Sequence, residues 1–202
     1  WDNPMFRWIL ILTFTGMLFT QSIIQIGPVL AELLGRAEVG YGVLISATGI
    51  GSVVGTLLIG SADQQKRLGL VMLGGATLSV FSLSLFALAT LISVFWVAAT
   101  ILFFFSLFAS FFLVGSMTVL QLAVPDELRG RVMGIHTISF SLPSLGGLWL
   151  GATSQWLSGP LGQGLGTASA LWLGCLIYLA VIAWVFWRLP VIRDIDGASL
   201  AT

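Results

Sequence analysis

The sequence predicts an all-α membrane protein with six transmembrane helices, arranged as two inverted three-helix repeats. Three observations carry this: where the uncharged stretches fall, the overall composition, and matching small-residue patterns in two of the spans. Between Arg7 and Glu32 lie 24 residues without Asp, Glu, Lys or Arg, and between Glu38 and Asp63 lie another 24. Between Arg67 and Asp126 lie 58, and between Arg131 and Arg188 lie 56. One helix crosses the bilayer core with about 20 apolar residues, so each short stretch holds one span and each long one holds two. Of the 202 residues, 57% are hydrophobic and 8% are charged, with a mean hydropathy of +1.05. A soluble core of this size cannot shelter so much apolar surface behind so little polar skin.

The first span is expected over residues 8–30 and the second over 41–60. The 58-residue stretch divides at Thr90-Leu91-Ile92-Ser93, a weakly polar turn, into spans over 69–90 and 94–121. The 56-residue stretch divides at Ser158–Gly166, where Pro160 and four glycines interrupt the chain. That gives spans over 132–157 and 167–187, followed by a short tail over 191–202. No run alternates polar and apolar residues as a membrane barrel strand does, which sets strands aside. With six spans both ends share one side with the second and fourth loops. That side holds Arg7, Lys66, Arg67, Arg129, Arg131, Arg188 and Arg193, and the other holds only Arg36. The positive-inside bias therefore places both ends in the cytoplasm. Trp8, Trp184 and Trp187 near inner ends, and Trp96 and Trp156 near outer ends, fit the interfacial preference of indole.

The chain begins Trp-Asp-Asn-Pro, without Met and without a basic leader, and reads as a piece of a longer polypeptide. Net charge is zero, so no nucleic-acid partner is expected. A single cysteine, Cys175, in the last span leaves no thiolate metal cluster, and neither metal nor cofactor is expected.

The second span carries Gly51 and Gly55 four residues apart, and the fifth carries Gly147 and Gly151 at the same spacing. Such spacing lets helix backbones approach closely where no hydrophobic drive joins helices. These are the middle helices of successive triplets that run in opposite directions, the arrangement of an inverted repeat. Pro143, flanked by Ser141, Ser144, Gly146 and Gly147, marks the fifth span as the place for a hinge or irregular segment. No Asp, Glu, Lys or Arg falls inside a span, so an ion relay has no ionisable residue here beyond His136 or, at the outer mouth, Glu32. His136 itself reads as a hydrogen-bonded histidine near the headgroups. Gln21 and Gln25 of the first span share a helical face with Phe14 and Met17. On the fourth span Ser106, Ser110, Met117 and Gln121 lie on one face among phenylalanines. These polar positions read either as cavity lining or as ties between helices.

Two segments carry a family pattern. Gly27 to Gly60, with Pro28-Val29-Leu30-Ala31-Glu32, Gly40-Tyr41-Gly42-Val43-Leu44 and Gly49-Ile50-Gly51-Ser52-Val53-Val54-Gly55, resembles the seventh and eighth helices of a major facilitator. Val124-Pro125-Asp126-Glu127-Leu128-Arg129-Gly130-Arg131-Val132-Met133 is similar to the link between that family's tenth and eleventh helices. The nearest branch is that of bacterial exporters that includes the enterobactin exporter and related drug-efflux proteins. The resemblance implies the C-terminal half of a twelve-helix fold in the bacterial inner membrane, partnered by the N-terminal six-helix half of the same polypeptide and by lipid. It further implies proton-coupled export of a small amphipathic molecule, such as a siderophore or drug, by alternating access. The family's cytoplasmic signature, G-x-x-x-D-R-x-G-R-R, corresponds in part to Gly60–Gly69. Asp63 and Arg67 match, while Gln64 and Lys66 depart from it. The resemblance implies a gating network of Asp63, Arg67 and Arg129, and a substrate cavity lined by Gln21, Gln25, Phe14, Met17, Ser110 and Met117. A six-helix binding subunit of a larger transporter is the alternative. An intramembrane protease is a poor fit, since Gly115-Ser116 is followed by Met117 and Thr118 rather than by a nucleophile motif.

Overall fold

A computed structural model describes residues 4–37, 39–61, 68–124, 126–189 and 192. Among the described residues eight α-helices occur: α1 (Pro4–Phe19), α2 (Gly27–Leu33), α3 (Gly40–Ser61), α4 (Leu68–Leu91), α5 (Phe95–Ala123), α6 (Asp126–Ile138), α7 (Leu142–Leu161) and α8 (Gln163–Arg188). Two 3-10 segments, Gln21–Ile26 and Ser139–Ser141, join α1 to α2 and α6 to α7. No strand occurs among the described residues.

Five helical stretches among the described residues are long and apolar enough to cross a membrane: Met5–Leu33, Gly40–Gly60, Leu68–Leu91, Phe95–Leu122 and Gln163–Arg188. Of the six spans expected, the fifth is the one that does not meet that measure. The run expected as the fifth, 132–157, is divided into a 13-residue α6 and a 20-residue α7 around the 3-10 segment. Ser144, Thr153, Ser154, Gln155 and Ser158 also dilute the apolar character of α7. The first span, expected to be continuous, is broken as well. The two tight turns differ from expectation in extent. Helix α4 runs through Leu91, and the turn to α5 rests on Ser93 at φ 53°. Pro160 lies inside α7, and the reversal into α8 is confined to Gly162 at φ 84°, a left-handed conformation that favours glycine.

Packing is helix on helix. Helix α5 lies between α3 and α4, α8 lies against α4, α1 and α7, and α7 covers the first 3-10 segment. Ile9, Leu12, Met72, Phe86, Phe105, Leu150, Leu171 and Tyr178 are buried at the centre. Outward the side chains stay apolar, with Trp187 84%, Leu148 72% and Leu57 67% exposed, as a bilayer requires of its solute. Hydroxyls in these helices turn back on their own turn: Thr13 donates to Ile9 O at 2.9 Å, Thr20 to Gly16 O at 2.7 Å and Thr77 to Leu73 O at 2.9 Å. That habit satisfies a polar group where water is absent. Between helices, the Trp172 indole N–H donates to Ser84 O at 3.1 Å and ties α8 to α4.

Close approach depends on a few glycines. A Cβ at Gly51 of α3 would overlap the Phe103 carbonyl of α5, and one at Gly55 would stand 3.0 Å from Leu107 Cα. A Cβ at Gly75 of α4 would stand 2.6 Å from Phe111 Cβ. On α7 the tight position is Gly146, where a Cβ would overlap the Leu18 carbonyl of α1. Gly147 lies next to it, 2.6 Å from Gln25 Cβ by the same construction. Gly151, expected to pair with Gly147, has nothing within 4 Å of an added Cβ. The α7 contact thus rests on the adjacent glycines Gly146 and Gly147, and Gly151, one turn further on, borders open space instead.

Candidate functional site

The two broken runs owe their breaks to the same chemistry. Proline has no N–H, so the carbonyl four residues before it loses its α-helical partner. Before Pro28 that carbonyl is Ile24 O, which accepts instead from the Gly27 N–H, three residues on. Before Pro143 it is Ser139 O, which accepts from the Leu142 N–H. Both bonds are of the i to i+3 type that defines a 3-10 turn. The first break packs on α7 and the second on α1, so each run sets its irregular segment against the regular part of the other. Non-helical backbone at membrane depth is tolerated against protein or a wet cavity, and here each break lies against protein.

The break separates two residues that an unbroken helix would align. In a 3-10 segment residues three apart eclipse, so Gln21 and Gln25, four apart, point to different sides. Gln21 is half-buried and, with buried Met17, lines a small interior cavity of about 20 Å³ alongside Thr20, Ser79, Phe112 and Tyr178. Gln25 is exposed and packs beside Gly147. Phe14 is half-buried and does not line that cavity. The Tyr178 hydroxyl reaches over Gly16, 2.8 Å from where a Cβ would stand, which is the space that glycine leaves for it. An interior space of this size holds about one water.

On α5 the proposed face divides too. Ser110 is 6% exposed, with its hydroxyl 2.9 Å from Ser106 O and 3.3 Å from both the carbonyl and the hydroxyl of Ser52. It ties α5 to α3. Met117 is exposed and points away from the interior. Arg129 is exposed on α6, and Asp63 and Arg67 lie outside the described residues. His136, expected as a hydrogen-bonded histidine near the headgroups, differs in its bonding. It is 2% exposed, its Nε2 has no hydrogen-bond partner, and its ring lies edge-on to Phe140 with centroids 6.0 Å apart.

A larger space, which the sequence reading missed, opens where α2, α7 and α8 meet. This cavity of about 490 Å³ sets Ile26 and Val29 opposite Ser154, Gln155, Ser158, Gln163 and Thr167, with Gly151 in its wall. The Ser154 and Thr167 hydroxyls are 2.8 Å apart and join α7 to α8 there. The lining is uncharged, and the amides of Gln155 and Gln163 are exposed at it. The signal in the sequence was the density of hydroxyls and amides at the end of the fifth run, which reads equally well as turn chemistry.

The family model described as Major Facilitator Superfamily matches residues 1–148 of the 202. The chain belongs to the major facilitator superfamily. Neither the curated proteins nor the solved structures yield a match. As a major facilitator it is an integral membrane protein of a transporter family, and its long apolar helices agree with that assignment.

Proposed function

We propose that this major facilitator chain is the C-terminal six-helix half of a twelve-helix exporter. On this reading it moves a small amphipathic molecule by proton-coupled alternating access in the bacterial inner membrane, with both chain ends cytoplasmic. The observation that supports the architecture is reciprocal packing. Exchanging the first three helical runs for the last three turns the α3–α5 contact into the contact of α7 with the first run. It turns α4–α5 into α8–α1 and leaves α4–α8 unchanged, whereas α7–α8 has no counterpart between α3 and α4. At both reciprocal crossings a glycine of the middle helix meets a carbonyl of the leading helix: Gly51 with Phe103 O, and Gly146 with Leu18 O. Two inverted three-helix repeats would produce this exchange.

The remaining faces suit a partner half. Gly42, Gly49 and Gly60 on α3 have open space where a Cβ would go, and so does Gly151 on α7. Small residues there would let the N-terminal half approach closely. Discontinuous helices build the sites of many transporters, and here the breaks carry Gln21, Gln25, Ser139 and Ser141. We assign substrate contact to Gln21 and Gln25, from two sides of the first break, with Met17 and Phe14 as apolar neighbours. Exposed Met117 and Ser110, whose hydroxyl also ties α5 to α3, complete this assignment. Asp63, Arg67 and Arg129 retain the proposed cytoplasmic gating role. The coupling acid would come from the other half or be Glu32, which is exposed beyond the first break.

Two measurements test this. An immunoblot of native membranes with an antibody to the tail should give a band near twice 21.6 kDa. A band at the chain's own mass would overturn the half-transporter reading. In the full-length protein, Gln21→Ala combined with Gln25→Ala should slow efflux about tenfold or more, the loss of one or two buried hydrogen bonds to substrate, while the protein remains folded. Undiminished efflux would remove both residues from the site.

A further inference from the structure

The cavity of about 490 Å³ where α2, α7 and α8 meet has five uncharged polar residues among its eight lining residues: Ser154, Gln155, Ser158, Gln163 and Thr167. We propose that it is a binding site for an uncharged polyhydroxylated group, a glycoside or polyol, separate from the glutamines of the first break.

The hydrogen bonds within the wall decide what the wall can still do. Thr167 donates its hydroxyl proton to Gln163 O at 2.9 Å. In the 2.8 Å contact between Ser154 and Thr167, Ser154 is therefore the donor. Ser158 donates to Ser154 O at 2.7 Å. A hydroxyl has one proton and two lone pairs, so all three are spent as donors and remain as acceptors. The side-chain amides of Gln155 and Gln163 are exposed, and among the described residues no hydrogen bond holds either. Each offers two N–H donors and one carbonyl acceptor. The wall thus accepts at three hydroxyls and donates only at the two amides. Neighbouring O–H groups on a carbon skeleton match it, since each donates to a hydroxyl oxygen or amide carbonyl and accepts from an amide N–H. Ethers and esters, which only accept, leave the three hydroxyls of the wall unmatched.

Charge, shape and position narrow the ligand further. No Asp, Glu, Lys, Arg or His lines the cavity, so an ionised ligand would lose hydration there without a countercharge. Ile26 and exposed Val29 form an apolar wall for the C–H face of a ring. The volume falls within the range of small-molecule sites, about 300–1,000 Å³. Helix α7 reverses into α8 at Gly162, and Ser154 lies eight residues before that reversal, about 12 Å along the helix. The cavity is therefore near the membrane surface and within reach of water. Thr167 is buried and Ser154 and Ser158 are half-buried, so the packing of α7 on α8 fixes these hydroxyls before a ligand arrives. An apolar helix of the partner half fits less well, because it would leave the five polar side chains dry and unmatched.

The test is binding of methyl glucoside to the full-length protein in glycolipid-free nanodiscs, read by saturation-transfer NMR. Permethylated glucoside, which keeps the ring but has no O–H, and anionic gluconate are the comparisons. Methyl glucoside should bind, the permethylated sugar about tenfold or more weakly, and gluconate no better than it. Gln163→Leu and Gln155→Leu should each weaken binding about tenfold, the loss of one or two hydrogen bonds, without lowering the melting temperature. Nanodiscs that contain a glucosyl diacylglycerol separate two sources of the same chemistry. Binding of soluble methyl glucoside marks a free ligand, whereas retention of the glycolipid alone, lost in both glutamine variants, marks a membrane headgroup. Failure of sugar and glycolipid alike to bind would overturn the proposal. So would equal binding of the methyl and permethylated sugars, or binding that both glutamine substitutions leave intact. The readout is binding rather than efflux, so it is independent of the exporter reading.

Discussion

Gly146→Ala should lower the melting temperature of the full-length protein by about 5 °C or more, while Gly151→Ala, five residues on along the same helix, leaves it unchanged or raises it. The added Cβ at Gly146 would overlap the Leu18 carbonyl and stand 2.8 Å from Ser22 Cβ. The carbonyl belongs to helical backbone and cannot swing aside as a long side chain could. Helix α7 must therefore move off α1, and overpacking of this kind typically costs about 1–3 kcal/mol. The gain in helix propensity, about 0.5–1 kcal/mol, offsets only part of it. At Gly151 nothing lies within 4 Å, so only the gain remains. Gly51→Ala should behave like Gly146→Ala, since its Cβ would overlap the Phe103 carbonyl of α5. Scanning fluorimetry in detergent measures all three. Equal melting temperatures for the Gly146 and Gly151 variants would remove the close crossing of α7 and α1 from the account.

That pair of glycines also shows what the sequence could reveal. Long uncharged stretches marked the helices because the bilayer imposes a strict length on what crosses it. Gly51 and Gly55 lie in the continuous helix α3, where a four-residue spacing keeps its meaning, and both face α5. Gly147 and Gly151 keep their spacing within α7, but the first run meets that helix only at Gly146 and Gly147, and Gly151 borders a cavity, which the spacing alone does not reveal. Gln21 and Gln25 lie within a 3-10 segment, which advances about 120° per residue rather than 100°, and that change of phase parted them. Pro28 was readable as a proline but not as a break, because a proline in an apolar run kinks, caps or interrupts a helix according to its neighbours. Burial was not readable at all for Ser110 and His136. Each is a polar residue on an apolar helix, and only the packing of α3 against α5 makes Ser110 a tie rather than a lining residue. The large cavity between α2, α7 and α8 was hidden for a related reason: its residues come from three separate stretches of chain.

Pro143→Ala should leave the protein folded, with an equal or higher melting temperature, and slow transport about tenfold. The substitution supplies the N–H that position 143 lacks. Ser139 O could then accept from residue 143 instead of from Leu142, and α6 would continue into α7 as one helix. One backbone hydrogen bond contributes about 0.5–1.5 kcal/mol net, and removing proline from a helix interior up to about 3 kcal/mol. A bias of about 1.4 kcal/mol toward the straight helix changes a two-state population tenfold. If alternating access needs α6 and α7 to reorient about the break, that bias acts directly on the rate, as hinge substitutions do. Pro28→Ala should act in the same direction through Ile24 O on the first run, and the two effects should reinforce each other, because each break packs on the other run. A fixed kink would respond differently: straightening it would disturb the packing of α7 on α1, lower the melting temperature and leave the rate per folded molecule unchanged. Transport rate and melting temperature, measured on the same reconstituted variant, therefore move in opposite directions for a hinge, whereas for a packing kink only stability falls.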